Sequence, residues 1–241
     1  MRRAGGDSPQ RPGSRSAARE SPATRGLAVR AGRHDAGVNG SETSRIEAFS
    51  DGVFAIAITL LIIEIHIPGR SHAETLGHEL LRLWPSYLAY LTSFLTIGVM
   101  WVNHHHVFSL VDRADRTLLF LNTLLLMLIA FVPFPTAVLA EFIRTDGARA
   151  GAILYGATMT LTAILFFVWW RYVSKERRLI AEHVPDSEVA DITRAYTPGT
   201  LLYGGAALLA FASAWVSAAL YLLIALFYAL PLAQWRARLR R

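Results

Sequence analysis

The sequence predicts an all-α, polytopic membrane protein with six transmembrane helices and both termini in the cytoplasm. Three observations lead to this prediction. The 241 residues are 53% hydrophobic and only 17% charged. Several uncharged runs reach about 20 residues, which is the length that a helix needs to cross a bilayer. The basic residues are concentrated on alternate connecting segments, as expected when one side of the membrane is preferred.

Residues 1–43 form the first predicted region, a disordered tail rich in Arg, Gly, Ser and Pro. It contains almost no aliphatic run and cannot bury enough apolar surface to offset the entropy lost on ordering. No apolar segment follows the early arginines, so a signal peptide is not expected. Residues 44–236 form the predicted membrane domain, and residues 237–241 form a basic C-terminal tail.

The first predicted span, residues 46–67, is apolar on every face from Val53 to Ile63, as in a helix buried in protein or lipid. Glu47 and Asp51 are four residues apart, so two carboxylates share one face of this helix. An acid at membrane depth is costly unless a partner satisfies it. Asp51 is therefore a candidate functional residue.

Five further spans are predicted, at about residues 84–104, 117–140, 150–170, 199–213 and 216–235. Pro133 and Pro135 each remove a backbone donor, so the third span is expected to kink. A charged linker over residues 171–198 is expected to hold a helix to Glu182 and a turn at residues 196–199. The 37 uncharged residues from 199 to 235 exceed one crossing, which predicts two spans with a reversal near residues 213–217.

The net charge of +6 does not indicate nucleic-acid binding. In the predicted topology, 20 of the 24 basic residues lie on the cytoplasmic side, where they orient the chain and contact anionic headgroups. Cysteine is absent, and no enzyme motif or T-V-G-Y-G filter string occurs. The sequence therefore predicts no enzyme, no cofactor and no resident metal.

Three consecutive histidines, residues 104–106, end the second span. Successive side chains on a helix point about 100° apart, so these three cannot chelate one metal together. Hydrogen bonding to neighbouring helices and metal binding are the two alternatives. A sharper hypothesis is that one of these histidines faces Asp51.

The string Arg45-x-x-x-Phe49-Ser50-Asp51 resembles the first-helix signature of the transmembrane protein 175 family of potassium-permeable channels. The resemblance extends over roughly residues 43–235 and includes Trp101, His104, His105, Asn122 and Pro133-Phe134-Pro135-Thr136. It implies that the signature residues form a structural network. The motif occurs once, which implies the bacterial-type arrangement, a homotetramer of six-helix subunits in the cell membrane.

Ile56, Leu60 and Ile63 form one narrow stripe, with Thr59 alongside. On its own, such a stripe is typical of ordinary helix packing. The resemblance implies instead that first helices line a pore, that Ile56, Leu60 and Ile63 form its aliphatic constriction, and that the Thr59 hydroxyl favours potassium. The alternative for Thr59 is a bond back to the Ala55 carbonyl.

Two other functional classes are compatible with these residues. An ion- or proton-coupled secondary transporter would also place Asp51 at membrane depth, although such folds usually contain internal repeats. A non-conducting structural membrane protein would leave the polar motif in an apolar helix without a role.

Overall fold

The computed structural model describes residues 22–66 and 76–230, and side chains from residue 43 onward. Its contacts divide the chain into two units, Met1–Val38 and Asn39–Arg241. The loop at residues 67–75 and the segment 231–241, which includes the predicted basic tail, lie outside the described residues. So do residues 1–21 of the predicted disordered tail.

Eight α-helices make up the described part of the chain. They are α1 (Pro22–Ile63), α2 (Leu76–Arg82), α3 (Trp84–Phe108), α4 (Arg116–Phe131), α5 (Pro133–Phe142), α6 (Ala148–Ser174), α7 (Asp186–Leu209) and α8 (Ala214–Ala229). The all-α prediction is confirmed over these residues. Because α1 begins at Pro22, it starts well before residue 44, where the membrane domain is predicted to begin.

Four stretches of the described chain are long and apolar enough to cross a membrane: Thr43–Ile63, Trp84–Phe108, Arg116–Phe142 and Ala148–Arg177. Helix α8 is apolar but shorter, with 16 residues or roughly 24 Å. Helix α7 begins with the charged segment at Asp186. The count of six spans and the cytoplasmic position of both termini stay predictions.

The third span is interrupted as its prolines predict. Helix α4 ends at Phe131 and α5 begins at Pro133, so the break falls at Val132. Pro133 has no N–H to donate to the carbonyl one turn earlier, and its ring crowds that carbonyl. After Pro135, the Thr136 N–H donates to the Val132 carbonyl at 3.2 Å and regular geometry resumes.

Two expectations for the charged linker are wrong. Helix α6 ends at Ser174 rather than continuing to Glu182, because Glu176 and Arg177 adopt positive φ angles of 53° and 55°. The expected turn at residues 196–199 does not form either, since α7 continues through Pro198. One proline removes only one donor, and the packing of α7 against α6 holds the helix together on both sides of it.

Helix α6 is the central element of the bundle and packs against α4, α5, α7 and α8. Small residues permit this close approach, as at Gly156, where an added Cβ would lie 2.1 Å from the Tyr221 hydroxyl. The reversal between α7 and α8 occupies residues 210–213. There Ser213 caps α8 by accepting a hydrogen bond from the Val216 N–H at 3.3 Å.

Candidate functional site

Helix α1 has one buried face and one exposed face. Phe54, Ala57 and Leu61 are each 1% exposed and belong to the main hydrophobic core. On another side of the same helix, Ile56 is 60% exposed and Ile63 is 69% exposed. Leu60 lies between them and is also exposed. The stripe identified from the sequence therefore does not pack within the subunit.

Two further positions refine this division. Ile58 is partly buried and packs against the core, so it does not belong to the exposed face. Thr59 is exposed, and its hydroxyl lies within hydrogen-bonding distance of the Ala55 carbonyl (3.0 Å) and the Ile56 carbonyl (2.9 Å). The bond back to Ala55 that the sequence offered as an alternative is thus present. A hydroxyl that donates to a carbonyl of its own helix still has oxygen lone pairs with which to accept a hydrogen bond or contact a cation.

A buried polar network holds the other face of α1. The Asn122 side-chain amide of α4 donates to the Ser50 hydroxyl at 3.0 Å, and Ser50 donates to the Ile46 carbonyl at 2.8 Å. His104 Nε2 of α3 lies 2.9 Å from Asn122 Oδ1. Because this oxygen only accepts, His104 Nε2 is the donor. The three side chains are almost completely buried, so each bond satisfies a group that would otherwise be costly.

A second pair of contacts joins α1 to α3 at the edge of this network. The Trp101 indole N–H donates to Asp51 Oδ1 at 2.9 Å. His105 Nδ1 lies 2.8 Å from Glu47 Oε1. Both pairs fit antiparallel helices, since Glu47 precedes Asp51 by four residues and Trp101 precedes His105 by four. These contacts give the carboxylates of Glu47 and Asp51 one partner each.

The network differs in detail from the sequence hypothesis. Asn122 contacts the signature of α1 at Ser50, and His104 is connected to the signature only through Asn122. His105 contacts Glu47 rather than Asp51, whose partner is Trp101. The matched spacing of four in both helices is the signal that could have identified these pairs. Arg45 and Phe49 are exposed, and neither forms a side-chain hydrogen bond or ion pair with the residues the structure describes.

The three consecutive histidines point to three different partners. His104 contacts Asn122, His105 contacts Glu47, and His106 Nε2 lies 3.8 Å from Glu188 of α7. Within the described ranges, no group of three or more His, Asp or Glu side chains is arranged to hold a metal ion. Hydrogen bonding to neighbouring helices is thus the alternative that the geometry supports.

Asp115 organises the end of the bundle near the start of α4. Its carboxylate accepts hydrogen bonds from the Tyr172 hydroxyl at 2.5 Å and the Leu118 N–H at 2.8 Å, and Arg178 lies 3.6 Å away. Burial alone would raise the pKa of Asp115, but these donors and the arginine outweigh it and lower the pKa below its ordinary value. Nearby, Val111 and Ile180 form an isolated antiparallel bridge.

Comparisons with known proteins agree with this architecture. Residues 45–133 match the family model described as endosomal/lysosomal potassium channel TMEM175. A potassium channel of Chamaesiphon minutus is 50% identical over 192 residues, which are 79% of this chain and 95% of that protein. A potassium channel of Streptomyces collinus is 48% identical over 190 residues, or 78% of this chain and 92% of that protein.

One solved structure and one animal protein are similar to this chain as well. A crystal structure of a lysosomal potassium-selective channel TMEM175 homolog from Chamaesiphon minutus superimposes with a TM-score of 0.72 at 49% identity, covering 78% of this chain and 97% of that one. The chicken protein named endosomal/lysosomal proton channel TMEM175 is 36% identical over 146 residues, or 56% of this chain and 29% of that protein.

Apolar helices long enough to span a bilayer, one of them held by a buried polar network, define a multi-pass helical membrane protein. Two relatives of about 50% identity are matched over more than 90% of their length, and this similarity shows the family. The chain belongs to the TMEM175 family.

Proposed function

We propose that this chain is one subunit of a homotetrameric potassium channel of the cell membrane, with α1 lining a central pore. The exposed aliphatic face of α1 carries the proposal, because it lies beside a core face that the subunit buries completely. A single helix cannot enclose a pore. Four copies around an axis would cover this face and leave a path along it.

The constriction is assigned to Ile56, Leu60 and Ile63. Rings of methyl-bearing side chains form a narrow, poorly wetted section that resists ions. Thr59 lies beside them, and its hydroxyl, which donates to the backbone of its own helix, keeps an oxygen lone pair for a passing cation. We assign Thr59 a role in favouring potassium. The network of Ser50, Asn122 and His104 then has a mechanical role, since it fixes the rotation of the helix.

The relatives at about 50% identity are named potassium channels, which favours potassium as the permeant ion. The chicken relative is named a proton channel, so proton flux is the alternative to measure. A transporter that cycles protons through Asp51 is not favoured. The nearby relatives are named channels, and the Asp51 carboxylate has a committed donor in Trp101.

The absence of cysteine allows a direct test. Single variants Ile56→Cys, Ile63→Cys and Leu61→Cys are reconstituted in liposomes, and potassium and proton fluxes are recorded before and after a charged thiol reagent. Leu61 is the matched control because it is an aliphatic residue of the same helix that is buried in the core. We expect block of potassium flux at residues 56 and 63 only.

Two results would overturn the proposal. Block at Leu61→Cys without block at Ile56→Cys would mean that a different face of α1 lines the pathway. The second is an unmodified protein that conducts protons but no potassium, with a proton flux that the reagent does not change. The permeant ion would then be the proton, and its pathway would not follow the exposed face of α1. The particle size in detergent, expected at four times the 26.6 kDa chain, checks the oligomer separately.

A further inference from the structure

An apolar groove lies away from the α1 face, between the first turns of α3, the end of α5 and the first turns of α8. Its volume is about 210 Å³. Most of its lining is aliphatic, including Leu88, Leu139, Ile143 and Leu222. An enclosed apolar cavity of roughly 150 Å³ stays dry and binds a small hydrocarbon, so an apolar groove of this size has room for part of an acyl chain. The groove is therefore suited to hydrocarbon rather than to water.

The polar atoms that border the groove are already used within the subunit. The Thr92 hydroxyl donates to the Leu88 carbonyl at 2.7 Å. The Tyr221 hydroxyl donates to the Ala152 carbonyl at 3.0 Å, and the Tyr155 hydroxyl accepts from Ser93 at 3.2 Å. These three hydroxyls are therefore already engaged within the subunit. Together with the aliphatic lining, this favours an apolar chain as the occupant.

Tryptophans and a cation form the rim of the groove. Trp84 and Trp215 stack with ring centroids 5.6 Å apart, and the Arg144 guanidinium lies 5.1 Å above the Trp84 ring. Tryptophan pairs of this kind are typical of the depth at which lipid headgroups lie. Arg144 has no carboxylate within 4.0 Å among the described side chains. Its planar donors are free to bind a phosphate.

A polar pocket of about 270 Å³ adjoins the groove and shares Pro85 and Ala140 with it. Arg82 and Arg144 line this pocket together with Glu64 and Glu141. Neither of the two glutamates forms an ion pair with a residue that the structure describes. The pocket is thus lined by both positively charged guanidinium groups and negatively charged carboxylates.

From this juxtaposition we propose that the groove and pocket bind one phospholipid with a primary ammonium headgroup, of the phosphatidylethanolamine class. One acyl chain occupies the groove, the phosphate binds Arg144, and the ammonium binds Glu141. A purely anionic headgroup has a phosphate for Arg144 but no cation to pair with the carboxylates of Glu64 and Glu141. A choline headgroup carries the positive charge but has no N–H to donate.

The bound lipid would join α8 to α3 and α5 at one end of the bundle. Trp215 belongs to the first turns of α8, whereas Trp84 begins α3 and Arg144 follows α5. A chain inserted between them fills space that the side chains leave open. We therefore expect the lipid to stabilise the packing of α8.

The test uses the purified full chain in detergent, with native mass spectrometry after adding dioleoyl phosphatidylethanolamine, phosphatidylcholine or phosphatidylglycerol. We expect one phosphatidylethanolamine retained per chain, with at least tenfold weaker retention of the other two lipids. Arg144→Ala should lower phosphatidylethanolamine retention at least tenfold. Arg149→Ala removes the same charge from an exposed position outside the groove and should change nothing.

Two more variants separate the headgroup from the chain. Glu141→Gln should reduce phosphatidylethanolamine retention to the phosphatidylcholine level, without affecting phosphatidylcholine. Ala219→Phe should abolish retention of all three lipids. Ala219 lines the groove but is exposed, so a larger side chain there obstructs the groove without overpacking the core.

Equal effects of Arg144→Ala and Arg149→Ala would overturn the proposal, since retention would then reflect non-specific annular lipid. Phosphatidylglycerol bound as tightly as phosphatidylethanolamine, with Glu141→Gln silent, would also overturn it. Should Arg144→Ala prove poorly folded, Ala219→Phe decides the matter, because unchanged retention in that variant excludes the groove.

Discussion

The indole of Trp101 donates its N–H to the carboxylate of Asp51 across 2.9 Å, and so joins α3 to the helix assigned to the pore. Both groups lie within candidate membrane spans. An unpaired carboxylate there is costly, and the indole nitrogen can only donate. The contact therefore satisfies both polar groups, and we expect its loss to reduce assembly of the oligomer.

We expect Asp51→Ala to reduce the amount of assembled oligomer, because it leaves the Trp101 N–H without its acceptor. The cost should be about 1–3 kcal/mol. Size-exclusion chromatography and thermal unfolding measure it. Asp51→Asn keeps an acceptor oxygen, so its oligomer yield and unfolding temperature should lie between those of Asp51→Ala and the wild type. Normal assembly of Asp51→Ala with altered conductance would instead place Asp51 in the permeation pathway.

Asn122 should be the most sensitive member of the buried network, because its amide contacts both Ser50 and His104. Asn122→Ala should lower the unfolding free energy by about 1–3 kcal/mol. Ser50→Ala should cost less, since it removes a smaller group. The double variant should be less damaging than the sum of the two, because the residues share one contact. Strict additivity in thermal unfolding would contradict this coupling.

Gly156 permits the contact between α6 and the helices beside it. Gly156→Ala would bring a methyl group within 2.1 Å of the Tyr221 hydroxyl and 2.6 Å of the Ala207 Cβ. Overpacking of this kind costs about 1–3 kcal/mol. The control is Gly205→Ala, where nothing lies within 4 Å of the added Cβ. If both variants unfold at the wild-type temperature, the α6 packing described above is wrong.

Asp115 should contribute acid-dependent stability. Its pKa is lowered in the folded state, since the Tyr172 hydroxyl, the Leu118 N–H and Arg178 outweigh the opposing effect of burial. The stabilisation is present above the ordinary carboxyl pKa of 3.8 and disappears as pH falls through the lowered value. Asp115→Asn should flatten the pH dependence of unfolding in this window. An unchanged slope would show that Asp115 does not titrate with the fold.

Ile56 and Ile58 give a selectivity test because they differ by roughly 200° around α1. Ile56→Asn should raise flux and reduce discrimination between potassium and sodium, since it removes an apolar barrier at similar bulk. Ile58→Asn should impair packing or insertion without loosening selectivity, and Thr59→Ala should weaken potassium preference mildly. Reversal potentials under biionic conditions measure all three. A selectivity change in Ile58→Asn alone would mean that α1 is rotated.

Some of these features could be predicted from the sequence because they depend on one segment. The Ile56 stripe follows from helical periodicity, and the break before Pro133 follows from a missing donor. The partner of Asp51 depends on the register of two helices, which neither helix specifies alone. The turn predicted at Pro198 is wrong for a related reason. The helix there is stabilised by packing against α6, and that contact cannot be inferred from the residues around Pro198 alone.

The chain of hydrogen bonds from His104 through Asn122 to Ser50 has a single direction, with each donor pointing toward the Ile46 carbonyl. Imidazole and hydroxyl groups can pass protons along a wire, but here a carboxamide separates them. The Asn122 amide neither gains nor releases a proton at ordinary pH. A proton therefore cannot pass from His104 to Ser50 along this chain, so the buried network fixes α1 in place without offering a second conduction path beside the proposed one.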